Sequence, residues 1–426
     1  MSSVVKTSNS DNLELSPLNR SKAVPIATIF GDSIAGSSPR SLLNASFEPN
    51  TTGLANFSYA VACQGFAICG VRAQGSSRLL IGDPGSAPHL QEQINQFLTA
   101  RAVSGGMDSK VQVAFVKSLT NSINGAAALS QAQVNTIVDT YKTQTDRLLA
   151  AGVQVVHVVP SLRADESAGN NLLSYNSLSQ CRDRMYALFG DNMIDLWEVM
   201  QRRNSAHGGA PTIPQTWNTG FTSDNFHPNL GGAGVAFDRA CQNAVSKLSL
   251  PGNLVVPYES GTGFLNSIND HSLPVGASYT FPVGGGVNWN RSGAADPTCT
   301  VLAPDSEGVA GTEVSFIGGS NVNFVLTGLL VPGQWYAFTC THRITTANTT
   351  GAQFGLRMNW SGNSSRTSLF ESVYYASPGW KRATVLFECP GVADGFGNPS
   401  IQFGNLNTAE TCTVQVREIQ LTPVTP

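Results

Sequence analysis

Charge is scarce in this chain. Asp, Glu, Lys and Arg make up 12% of 426 residues, with a net charge of −3, about half the usual share of charged residues. There is no basic excess, so no electrostatic footprint for nucleic acid is expected. Long apolar runs are also missing. None approaches the ~20 residues that a spanning helix needs, so no membrane insertion is expected. The eight cysteines are too few for a disulfide framework in a chain this long. Cys63 and Cys69 stand six apart and no CxxC pair occurs, so no metal site is expected. Cys181 and Cys241 fall on helical apolar stripes and read as core. Cys299, Cys340, Cys389 and Cys412 fall in strand-like segments. Pairing is open for these four, although buried thiols are the commoner outcome. The first residues, "MSSVVKTSNSDNLELSPLNRSK", show no continuous apolar core and no small-residue cleavage pattern, so they do not read as a secretory signal. Residues 1–23 read as an arm or linker.

What the chain does have is Gly (42 residues) together with much Ser, Asn and Thr. The surface is therefore expected to be polar but largely uncharged, which suits neutral, hydroxyl-rich ligands such as sugars. The length allows two or three domains. Residues 24–250 alternate strand and helix. An apolar run ends at Gly31-Asp32-Ser33 and reads as a buried parallel strand. A second strand is expected near Phe57 to Cys63, with "GVRAQGSSRLLIG" as a loop after it. "HLQEQINQFLTARA" places Leu90, Ile94, Phe97 and Leu98 on one helical face. Val111 to Leu119 reads as a strand. Ser130 and Gln133 form a capping box ahead of a helix that ends at Gly152. Val153 to Val159 is a buried strand, "YNSLSQCRDRMYALFG" a helix, "NMIDLW" the last parallel strand, and about Gly232 to Leu248 the final helix. Five strands separated by helices predict a doubly wound sheet. Pro251-Gly252 marks a boundary. Beyond it the helical period vanishes, and seven or so short alternating segments predict an all-β sandwich over 251–426.

Ser33 stands where the first strand gives way to a loop, the region in which open α/β sheets bind ligands. A free hydroxyl is a weak nucleophile and needs a base. "FTSDNFHPNLGG" offers one, because Asp224 and His227 lie three apart. That spacing lets the carboxylate fix the imidazole tautomer while the ring takes a proton from Ser33. An oxyanion needs donors. The Ser33 N–H, the Gly75 N–H in "AQGSSRLL" and the Asn121 side-chain amide in "SLTNS" are the candidates. His157, inside a buried strand, reads as a satisfied core histidine. Asp195 reads as a structural hydrogen-bond partner, and Arg163 and Asp165 as a solvated loop. His89, His207, His271 and His342 show no visible partners.

In order, Ser33 in "FGDS", Gly75 in "QGSS", Asn121 in "SLTNS" and Asp224 with His227 in "DNFHPN" resemble the four blocks of the SGNH (GDSL-type) hydrolases. The third block departs from the family, which usually carries Gly-Thr-Asn-Asp or Gly-Gly-Asn-Asp. Here it is Leu119-Thr120-Asn121-Ser122. The resemblance covers about 24–250. It implies a three-layer α/β/α, flavodoxin-like hydrolase fold and ester hydrolysis with no metal or organic cofactor. Ser33, His227 and Asp224 would form the triad. Ser33, Gly75 and Asn121 would form the oxyanion hole.

The second half resembles jelly-roll carbohydrate-binding modules attached to bacterial and viral glycan-processing enzymes. "PGQWYAFTC", "SPGWKRATVLF" and "QVREIQL" carry that likeness. Trp289, Trp335, Trp360 and Trp380 are candidates to stack on sugar rings, with most of them expected in the core. Together the two halves imply an esterase that removes short acyl groups, O-acetyl first among them, from a polysaccharide. The style of the chain suggests a phage tail or virion component, with other virion proteins or its own copies in a trimer as partners. The alternatives are a non-catalytic glycan-binding or structural virion protein on a hydrolase scaffold, and an intracellular bacterial carbohydrate esterase.

Overall fold

The computed structural model describes residues 23–32, 35, 57–85, 87–123, 129–160, 171–190, 193–195, 241–242, 244–245, 248, 250, 252–256, 279–280, 287–292, 298–303, 311–317, 321–326, 330–346, 354–360, 366–373, 379–389, 399–405 and 411–426. The first half forms β1 (Ala23–Val24), β2 (Ile26–Gly31), α1 (Phe57–Ala62), β3 (Ala67–Ala73), α2 (Leu90–Arg101), β4 (Val113–Lys117), α3 (Thr120–Ile123), α4 (Gln131–Ala150), β5 (Gln154–Val158), α5 (Asn171–Phe189) and β6 (Met193–Ile194). The second half is all strand: β7 (Leu254–Val255), β8 (Tyr279–Thr280), β9 (Val287–Ser292), β10 (Thr298–Leu302), β11 (Gly311–Ile317), β12 (Asn321–Leu326), β13 (Trp335–Thr346), β14 (Phe354–Trp360), β15 (Arg366–Val373), β16 (Lys381–Glu388), β17 (Pro399–Asn405) and β18 (Thr411–Val424).

β2, β3, β4, β5 and β6 are mutually parallel and lie in the spatial order β3-β2-β4-β5-β6. Counted along the chain this is 2-1-3-4-5, a doubly wound order whose direction reverses between β2 and β4. All six residues of β2 and all five of β4 are buried, as central parallel strands require. The capping box forms as expected. The Ser130 N–H donates to Gln133 Oε1, and the Gln133 N–H donates back to Ser130 Oγ. Val134, Val138, Tyr141 and Leu148 then face the core, and Gly152, at φ +77°, turns the chain out of the helix. Residues 241, 242, 244 and 245 are helical, with Cys241 buried.

Two expectations are corrected. Phe57 to Ala62 is a helix and not a strand. Phe57, Ala60, Val61 and Ala62 are buried, and Phe57 stands three and four residues before Ala60 and Val61, the spacing of a helical face. The second strand starts after the turn at Gly65 and takes in Gly70 to Ala73, part of the segment read as a loop. The parallel sheet also does not stop at five strands. β3 pairs in parallel with β16 of the second half, through Ala67 with Thr384, Ile68 with Val385 and Cys69 with Leu386. The result is a ten-stranded sheet, β10-β11-β18-β13-β16-β3-β2-β4-β5-β6. Helix α1 packs on both β3 and β16. Ala383 to Phe387 of β16 are accordingly buried on both faces. A six-stranded antiparallel sheet, β15-β14-β17-β12-β9-β8, completes the second half, and β15 and β17 lie near β16 and β11. A short antiparallel pair, β1 with β7, ties the start of the first half to residues 254–255.

Candidate functional site

The site region lies at the carboxyl ends of β2 and β4, where the sheet order reverses. Four short segments meet there. Gly31 closes β2 at φ +150°, a region that L side chains rarely adopt. A Cβ on Gly31 would lie 1.8 Å from the Lys117 carbonyl oxygen, so glycine is required on both counts. The Gly31 peptide is held from three sides. Its N–H donates to Gln93 Oε1 at 2.9 Å. Its carbonyl accepts from Gln93 Nε2, Ser77 Oγ and the Gln74 N–H, each at 3.0 Å. Gln93 is fully buried on α2, so its amide serves as a fixed clamp on the end of β2.

The turn after β3 carries Gly75 and is bound to this clamp. The Ser77 N–H donates to the Gln74 carbonyl at 3.1 Å. The Asn121 side-chain N–H donates to the Ser77 carbonyl at 3.1 Å. Among the described residues, none accepts from the Gly75 N–H, and the second Asn121 amide hydrogen is likewise unengaged. Gly75 and Asn121, chosen from sequence as oxyanion donors, are thus brought into one network with the residue that ends β2. Ser33, Asp224 and His227 lie outside the described residues, as do Arg163 and Asp165.

Sequence reasoning missed three residues here. Gln93 had no signal beyond its place on the buried face of α2. His89 has partners after all: its Nδ1 accepts from the Arg78 N–H at 3.0 Å, and its own N–H donates to Glu92 Oε2 at 2.7 Å. Both bonds brace the loop that follows Gly75. Lys117, at the end of β4, is fully buried. Its ammonium sits 3.3 Å from each Asp32 carboxylate oxygen and donates to Thr120 Oγ1 at 2.9 Å. Burial pushes the Lys117 ammonium below its ordinary pKa, while the Asp32 carboxylate beside it pulls the other way.

Other polar residues have structural roles. Tyr141 Oη lies 3.0 Å from His157 Nδ1 and donates to the Val116 carbonyl at 3.1 Å, and the imidazole stacks on Phe189 at 3.7 Å. Burial lowers the His157 pKa to about 3, so it is the satisfied core histidine expected. Asp195 accepts from Arg182 Nε and Tyr186 Oη, again as expected. Burial raises the thiol pKa of Cys69 and Cys181 and lifts Cys389 to about 11, so these thiols stay protonated and are poor nucleophiles. Cys340 and Cys389 are buried thiols. Trp335 is buried, and the half-buried Trp380 has the Arg343 guanidinium 5.1 Å from its ring centre. The side chains of Trp289 and Trp360 lie outside the described residues. Among the described residues, no group of three or more His, Cys, Asp or Glu side chains is placed to hold a metal ion, and no helix is long and apolar enough to cross a membrane.

No protein-family model and no curated protein matches the chain. Solved structures do match part of the chain. A member of the lipolytic protein G-D-S-L family from Veillonella parvula is 12% identical, covering 52% of this chain and 97% of that one, with a TM-score of 0.31. The CBM22-1 xylan-binding domain from Paenibacillus barcinonensis is 9% identical, covering 32% of this chain and 86% of that one, with a TM-score of 0.25. The enzymatically active domain of bacteriophage CBA120 tailspike protein 4 is 13% identical, covering 32% of this chain and 19% of that one, with a TM-score of 0.23.

Proposed function

We propose that this chain is a serine esterase of the SGNH (GDSL-type) kind, with a three-layer α/β/α hydrolase domain over 24–250 and a jelly-roll domain over 251–426. It removes short acyl groups, O-acetyl first among them, from a polysaccharide. Ser33, one residue beyond the buried Asp32, attacks the acyl carbon. His227 takes its proton while Asp224 holds the ring tautomer. The tetrahedral oxyanion is met by the Ser33 N–H, the Gly75 N–H and the Asn121 amide. His227 then protonates the leaving alcohol and activates the water that releases the acid. Residues 251–426 hold the glycan. The low charge and the hydroxyl-rich and amide-rich surface favour a neutral polymer over a lipid, and a virion setting suits such a substrate.

The observation that carries this reading is the network at the switch point. The Gly75 turn is bound to the end of β2 and Asn121 to that turn, with donor hydrogens left over among the described residues, two residues along the chain from Ser33. The deciding assay is turnover of a chromogenic acetate ester by the wild type and by Ser33→Ala. Wild-type turnover with loss of activity in the variant, both folded, supports the reading. Equal rates overturn it. One observation favours a second reading: the third block lacks the family's glycine and aspartate, with Leu119 and Ser122 in their places. A wild type without turnover that still binds acetylated glycan would point to a binding protein on a hydrolase scaffold.

A further inference from the structure

Lys117 is fully buried, and nothing in the reaction just described uses it. Taking an ammonium out of water costs several kcal/mol unless it is paired and hydrogen-bonded. Lys117 is gripped in a particular way. Its carbonyl accepts from the Asp32 N–H at 2.9 Å, and its ammonium faces both Asp32 oxygens and donates to Thr120 Oγ1. Asp32 directly precedes Ser33, and Thr120 directly precedes Asn121. One side chain therefore holds the residue before the nucleophile and the residue before the oxyanion amide.

We infer that Lys117 is a positioning residue that sets the spacing between Ser33 and Asn121. The inference rests on the esterase reading and goes beyond it, since the lysine itself touches no substrate. Its two anchors have separable effects. The ion pair with Asp32 keeps the buried charge tolerable and so supports folding. The bond to Thr120 carries that fixed point across to α3, so it governs the geometry of the reacting groups.

The test uses the full chain and a chromogenic acetate ester, with active sites counted by a fluorophosphonate that labels the nucleophilic serine. Thr120→Val removes the bond to α3 and leaves the ion pair intact. It is expected to lower kcat per labelled site by on the order of tenfold to a hundredfold, with KM unchanged and a smaller loss of melting temperature than Lys117→Met. Lys117→Met takes the ammonium away from the buried Asp32 carboxylate and should lose stability. Lys117→Met/Asp32→Asn removes both charges, so its stability should return while kcat per labelled site stays low. A Thr120→Val enzyme with wild-type kcat, or a double variant whose kcat recovers along with its stability, would overturn the inference and leave Lys117 a core residue only. A wild type without turnover would overturn the esterase reading, and this inference with it.

Discussion

Gly31 has the narrowest tolerance of any residue near the site. Its φ of +150° and the Lys117 oxygen 1.8 Å from a would-be Cβ mean that even a methyl group must push two central strands apart. Gly31→Ala is expected to destabilise the chain by about 4 kcal/mol or more, read by urea denaturation. A variant as stable as wild type would show that β2 and β4 end differently. Two buried histidines make stability depend on pH. His157 and His342 are each held at a pKa of about 3 by burial. In the unfolded chain they take up protons below about 6.5, and in the folded chain they do not. Stability is therefore complete above that value and falls as pH drops from about 6.5 towards 3, with a limiting slope of about 1.4 kcal/mol per pH unit for each histidine. Denaturation curves at pH 7 and pH 4.5 check this. His157→Phe should flatten part of the dependence.

At the scale of elements, the segments readable from sequence are those with a local signature. The helix over 131–150 announces itself by the Ser130–Gln133 reciprocal bonds and by Gly152. β2, β4 and β5 are short apolar runs bounded by turn residues. Helix α1 was not readable, because a six-residue apolar stretch fits either period. In the fold it is a helix, and Phe57 packs against Phe115 with ring centres 6.4 Å apart. Phe57→Ala is expected to cost about 3–5 kcal/mol, measured by chemical denaturation. A loss below 1 kcal/mol would mean that α1 does not bury this ring. Gly75 and Asn121 were picked out by their motifs, and the fold brings the Gly75 turn and Asn121 into one network at the end of β2. Gln93 and Lys117 were not picked out, because a glutamine on a helix and a lysine at a strand end are ordinary surface residues until the fold buries them.

At the scale of the molecule, the join between halves had no sequence signature at all. Parallel pairing of Ala67–Cys69 with Thr384–Leu386 links segments over 300 residues apart, and nothing in either strand's own pattern names its partner. The Pro251-Gly252 boundary marks a change of composition, yet the sheet runs through both halves. A fragment ending at residue 250 would expose β3, an all-buried strand, as a bare edge, and such edges recruit other chains. That fragment is expected to aggregate in size-exclusion chromatography while the full chain does not. A well-behaved fragment would show that the first half closes its own edge.

The last strand also has a mechanical consequence. Thr411–Val424 pairs with β13 along most of its length and with β11 over residues 411–416. Tension applied at Pro426 would have to peel residues 418–424 from β13 before it drew residues 411–416 out from between β11 and β13. A tether fixed just after Val424 would therefore load β13 first and leave the parallel strands around Gly31 unstrained.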